Sequence, residues 1–370
     1  MKRLPAALVR ASPSLSTGYA WELLNNGELE AAESHLGAAE QGLDAIGDTP
    51  VERTISEEQM QALQVDIASA RAYLAQSRDD LPGAITYAQR ALDLCPPDDH
   101  LARSLVEALL ALVMMTNGDL AGAYRTFASA QRGVQQAGNV LFAIGMTYGV
   151  ADIQIAQGRL RGAIRTYEEA LQLAGMGDAA TQANPVLQGT ADLYLGLSDL
   201  YHELGNWAEA RHYLQKSEEL GEAVALPNWP YRLRLVQARM KQSEGDLDAA
   251  LRLLDEAAHL RYPAPVPEMR PLAAIKAQIW IAQGNLIDAH AWVREHGLSV
   301  DDDLSFRGEF EHITLARLLI ASYRKDRHPR TIQEAFGLLA RMLQAAEGGR
   351  VAGQRDRNPH VAGTRPSGGG

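Results

Sequence analysis

The sequence predicts an all-α fold, a solenoid of helical hairpins. Three observations lead there. A Gly-polar-Leu turn recurs along the chain, small residues flank it at fixed offsets, and the composition is 46% hydrophobic but only 6% aromatic, with alanine and leucine dominant. That balance favours helices over sheets. At 370 residues the chain is long for one globular core but ordinary for stacked units that touch only their neighbours.

The turns set the register: Gly27-Glu28-Leu29, Gly118-Asp119-Leu120, Gly158-Arg159-Leu160, Gly205-Asn206-Trp207, Gly245-Asp246-Leu247 and Gly284-Asn285-Leu286, with Asp79-Asp80-Leu81 as a variant lacking the glycine. Each reads as a helix stop in which glycine takes the left-handed conformation. Before each turn, on the first helix, comes a small residue: Ala20, Ala72, Ala111, Ala151, Ser198, Ala238 and Ala277. After it, on the second, comes another: Ala32, Ala84, Ala123, Ala163, Ala210, Ala250 and Ala289. Small residues on both helices let them approach closely. Further along the second helix a larger side chain recurs (Leu36, Phe127, Tyr167, Leu214, Leu254, Val293, with Ala88 as the exception), followed one turn later by Ala39, Ala91, Ala130, Ala170, Ser217 or Ala257. Offsets of four and three keep these on one helical face. An eighth, glycine-less unit follows with Ala335 and Leu339. The usual period is near 40, and insertions are expected around Gly175-Met176-Gly177-Asp178 and Tyr262-Pro263-Ala264-Pro265.

This order of small, small, large and small resembles the tetratricopeptide repeat, although that family's period is about 34 residues. From about Leu4 to about Gly349, including Tyr19-Ala20-Trp21-Glu22-Leu23-Leu24, the chain resembles the sensor region of MalT-like, LuxR-type ATP-dependent transcription regulators. The resemblance implies a right-handed superhelix and a non-catalytic regulatory role: a protein or small-molecule effector in the concave groove would bias how the hairpins stack. In that family a nucleotide-binding domain precedes the repeats and a helix-turn-helix domain follows them. Neither carries over, because the chain holds no Gly-x-x-x-x-Gly-Lys-Ser/Thr loop and no recognition helix. Residues 1–15 then read as a lead-in, 16–347 as the solenoid of about eight hairpins, and 348–370 as a disordered tail. A stand-alone scaffold for partner proteins is the alternative, and an enzyme with an unrecognised site is the weakest reading.

A formal charge of -11 disfavours direct nucleic-acid binding. The single Cys95 excludes an internal disulfide and fits a reducing cytoplasm. No apolar run approaches the roughly 18 residues of a membrane span.

Candidate chemical sites read as structural. Pro96-Pro97-Asp98-Asp99-His100 has metal-site residue types but reads as a helix-capping loop, and Asp301-Asp302-Asp303 lacks calcium-loop spacing. His290 and His296 do not share a helical face, and adjacent carboxylates such as Glu168-Glu169 diverge by about 100°. No metal or cofactor is expected. Trp21, Trp207 and Trp280 fall in repeat register as wedges between helices.

By the tetratricopeptide resemblance, groove-facing positions lie on the first helix of each pair. Carried over, they give Asp152, Asp192, Asp199, His202, Arg232, Arg239, Gln242 and Gln278 in four consecutive units, against Trp21, Tyr73 and Leu112 in the early ones. A hydrated groove wall would also be polar; as a ligand site, the set offers the few placed polar groups that orient an effector.

Helical periodicity fades after Gly349, and the end of the chain is basic and rich in glycine and proline. A shift by one nucleotide from Gln354 onward can encode Ser-Val-Ile-Glu-Ile, the start of another apolar helix. The end of the sequence therefore carries two readings, an ordinary flexible terminus and a frameshifted one whose last hairpin, lacking a stacking partner, would promote association or fraying.

Overall fold

The computed structural model describes residues 9–10, 12–47, 56–175, 186–260 and 268–355. These form an all-helical array without strands among the described residues. Among the described residues sixteen α-helices pair into eight hairpins: α1 (Pro13–Asn25) with α2 (Leu29–Gly47), α3 (Glu57–Ser77) with α4 (Leu81–Leu94), α5 (His100–Thr116) with α6 (Leu120–Gln136), and α7 (Val140–Ala156) with α8 (Leu160–Leu173). The second half pairs α9 (Thr190–Glu203) with α10 (Trp207–Leu220), α11 (Trp229–Ser243) with α12 (Leu247–Leu260), α13 (Leu272–Gln283) with α14 (Leu286–Glu295), and α15 (Glu309–Asp326) with α16 (Pro329–Arg355).

The hairpin turns follow from local stereochemistry. Gly27, Gly118, Gly158, Gly205, Gly245 and Gly284 all take φ between 70° and 84°, and where glycine is missing Asp79 adopts φ 61° and Arg327 φ 53°. The polar residue after the turn caps the helix that follows. The side chains of Asp80, Asp119, Asn206, Asp246 and Asn285 accept from backbone N–H groups in the first turn of the second helix. Each satisfies a donor the helix start leaves free. Arg159 makes no such cap.

Both rows of small residues are buried throughout, as close helix approach requires. Phe127 and Tyr167 wedge into the next hairpin, where a Cβ on Gly149 or Gly196 would collide with their rings. Glycine inside a helix is costly, and here it makes room for an aromatic. Trp207 departs from the expected wedge: it opens α10 at the turn and is 45% exposed.

First helices stack side by side: α1 on α3, α3 on α5, α5 on α7, α9 on α11, and α13 on α15. The array also returns on itself. The loop before α15 reaches the turns of the second and third hairpins, where Arg307 pairs with Asp79 and a Cβ on Gly118 would lie 3.3 Å from that of Phe306.

Helix α16 continues through Gly348 and Gly349 to Arg355, into the segment read as a tail. Residues 356–370, the insertion at 262–265 and positions 176–178 lie outside the described residues, as does most of the 1–15 lead-in.

Candidate functional site

Register dictates which groove residues meet. Asp152, Asp199, Arg239 and Gln278 each follow directly after the small residue of their first helix, while Asp192 and Arg232 occupy a common earlier position. Stacked helices bring equivalent positions together. Asp199 of α9 thus forms an ion pair with Arg239 of α11, and Asp192 of α9 lies 3.6 Å from Arg232 of α11.

The Asp192 side chain is buried, and its Oδ2 accepts from the Leu226 N–H at 2.7 Å, so it also ties down the segment leading into α11. Arg232 lies over the Tyr148 ring with its guanidinium carbon 3.8 Å from the centroid. Tyr148 stands one helical turn before Asp152 on α7, so three successive first helices contribute to one layer of charge and aromatic surface. Burial pushes the Asp192 carboxyl up to about 6, opposed by Arg232 and the Leu226 hydrogen bond. Asp152 is also pushed up to about 6 by burial; Arg232 and Arg270 oppose the rise and Asp199 adds to it. The layer therefore holds two carboxyls that take up a proton more readily than ordinary ones but are still mostly ionised at neutral pH.

Next to this layer, between α11, α13 and α15, lies a cavity of about 130 Å³ to which Arg239, Gln242 and Gln278 contribute. The Gln278 amide donates to Thr314 Oγ1 at 2.9 Å. His202 stands apart: its Nε2 lies 2.9 Å from Ser243 Oγ, and its ring meets Trp207 edge-on at 4.8 Å. Burial and the charge of Arg239 lower its pKa, favouring the neutral ring.

Of the eight residues predicted from sequence, the structure gathers Asp152, Asp192, Asp199, Arg232 and Arg239 into one charged layer. It places Gln242 and Gln278, with Arg239, at the adjoining cavity, and sets His202 toward the hairpin turn. Asp199 and Arg239 are already paired with each other rather than projecting singly. Tyr148, Arg270 and Phe310 were missed. Tyr148 carried a signal, its spacing of four from Asp152; Arg270 lies in a loop, where helical periodicity is silent.

The early first helices differ. Trp21 donates to Asp66 at 2.7 Å and meets Tyr73 edge-on. Asp99 caps α5 through the Ala102 N–H at 2.9 Å, and Cys95 is buried with its thiol pKa raised first by burial. No group of three or more His, Cys, Asp or Glu is arranged to hold a metal among the described residues, and no described helix is long and apolar enough to cross a membrane.

No curated protein matches the chain in sequence. Among solved structures, a Rap protein complexed with Competence and Sporulation Factor is similar at a TM-score of 0.56 and 14% identity, over 80% of this chain and 75% of that one. The apo form of the quorum sensor NprR from B. thuringiensis is similar at 0.54 and 15%, over 88% and 87%. The apo form of RapI is similar at 0.54 and 12%, over 76% and 95%. These likenesses are of fold. The sequence profile described as MalT-like TPR region matches residues 65–359, and with most of its length so matched the chain belongs to the MalT-like TPR region family.

Proposed function

We propose that this chain is the sensing repeat domain of a LuxR/MalT-type transcriptional regulator, non-catalytic and cytoplasmic, which binds a protein or small-molecule effector along its first helices. The observation that carries the reading is the layer formed by Asp152, Asp192, Asp199, Arg232 and Arg239, whose pairs span different hairpins. A ligand entering there exchanges its own polar groups for inter-hairpin ones. Binding then changes how α7, α9 and α11 stack, and an attached switch domain would read that change. Family membership supports the reading. So does the precedent of a fold relative, a Rap protein, solved in complex with Competence and Sporulation Factor.

A thermal-shift screen of metabolites and short peptides tests the proposal. Hits are expected whose stabilisation is lost in Asp199→Ala and Arg239→Ala. Hits indifferent to both substitutions would place binding elsewhere. The regulator role has its own test in the flanking DNA, which should encode a nucleotide-binding domain on one side and a helix-turn-helix on the other. The purified chain should neither hydrolyse ATP nor shift duplex DNA at moderate salt.

Exposed apolar side chains on the last two hairpins, Ile287 at 79% and Phe336 at 66%, favour a second reading as a scaffold for partner proteins. A regulator would require the flanking domains; a scaffold would not.

A further inference from the structure

The cavity between α11, α13 and α15 has a chemistry of its own. Leu235, Ile275 and Phe310 give it apolar walls, while Arg239, Gln242 and Arg270 bring donors to it. The charges are unevenly satisfied. Arg239 is neutralised by Asp199, whereas Arg270 has no carboxylate within ion-pair distance among the described residues and rests 5.9 Å over the Phe310 ring. The amide of Gln242 makes no hydrogen bond among the described residues, while that of Gln278 is engaged by Thr314. Asp152 also feels the charge of Arg270, without an ion pair between them, and burial raises its pKa to about 6.

We infer that this cavity is an end-group subsite for a carboxylate carried on a short apolar chain. A guanidinium fork matches the two oxygens of a carboxylate, and a neighbouring amide N–H supplies a further donor. Size sets the rest. At about 130 Å³ the space is near that of an engineered cavity of roughly 150 Å³ that binds benzene, and well below the roughly 300–1,000 Å³ of a whole-ligand pocket. It accepts the terminus of a ligand, with the remainder lying along the groove toward α9. A free short-chain carboxylic acid and the C-terminal residue of a peptide present the same chemistry.

This inference rests on the sensing reading, and the experiment separates the two. Hexanoate, hexanamide, and a tripeptide ending in leucine with a free or an amidated C-terminus are titrated by calorimetry against the parent chain, Arg270→Gln and Gln242→Leu. Hexanoate should bind the parent about tenfold or more tighter than hexanamide, and Arg270→Gln should weaken it by about tenfold, as loss of one charged contact does. Arg270 is exposed, so its substitution leaves the melting temperature unchanged, and Gln242→Leu provides an independent weakening. Tighter binding of the free-acid tripeptide than of hexanoate identifies a peptide as the source; the reverse identifies a small acid. Equal binding of acid and amide, no binding of either, or binding indifferent to Arg270→Gln overturns the subsite. If the wider screen still yields ligands sensitive to Arg239→Ala, the sensing reading survives that loss.

Discussion

Arg307, in the loop before α15, forms an ion pair with Asp79, the left-handed turn residue of the second hairpin. Beside it Phe306 approaches Gly118 in the turn of the third hairpin. Two contacts thus connect the late part of the array to its early part. An exposed ion pair alone contributes about 0–1 kcal/mol, so the apolar contact is needed with it. The double substitution Phe306→Ala with Arg307→Glu should increase the radius of gyration measured by small-angle scattering, while the helical circular dichroism stays constant. An unchanged scattering profile would show that stacking alone holds the curvature.

Inside α9, Gly196 makes room for the Tyr167 ring. Alanine is the better helix former by about 1 kcal/mol, so an exposed site would gain from Gly196→Ala. Here the added methyl overpacks the junction of the fourth and fifth hairpins, and a net loss of about 1–3 kcal/mol is expected in chemical denaturation. A stabilised variant would mean that the ring does not pack as described. Ala210→Leu, at a buried position on α10, should cost a similar amount.

At the start of α8, Arg159 occupies the position where five other turns carry a capping Asp or Asn. Arg159→Asp should install the missing cap and raise stability by about 0.5–1 kcal/mol, less the contact of Arg159 over the Tyr124 ring. Asp119→Ala should do the opposite, at a cost of about 1 kcal/mol. Equal melting temperatures for both variants would deny the caps their assigned role.

Asp192 yields a pH prediction. Its folded pKa of about 6 lies above the ordinary carboxyl value, so the folded state holds the proton more tightly than the unfolded chain. The resulting stabilisation is complete below about pH 4 and is lost as pH rises through about 6. Asp192→Asn keeps an oxygen for the Leu226 N–H and removes this titration. The stability of the parent relative to the variant should therefore fall between pH 4 and 6 and level off above. A difference independent of pH over that range would show that Asp192 ionises at its ordinary value.

The sequence by itself determined the hairpins. Their turns depend on φ above zero at one residue and on small side chains at a close crossing, which are local requirements that leave a periodic trace, legible even at Asp79 and in the glycine-less eighth unit. It also picked out the first-helix positions that form the charged layer, because a shared register places equivalent residues side by side. Only the tertiary structure decided what those residues do to one another. The pairing of Asp199 with Arg239 and the capture of the Leu226 N–H by Asp192 arise where different hairpins meet, and no periodicity within one helix reveals them. Arg270 and Arg307 lie in loops, and Trp207 turns outward at a helix start, where neither a period of 3.6 nor one near 40 constrains a side chain. Their positions follow from how the array curves, a sum of small rotations between hairpins that each depend on contacts distant in sequence.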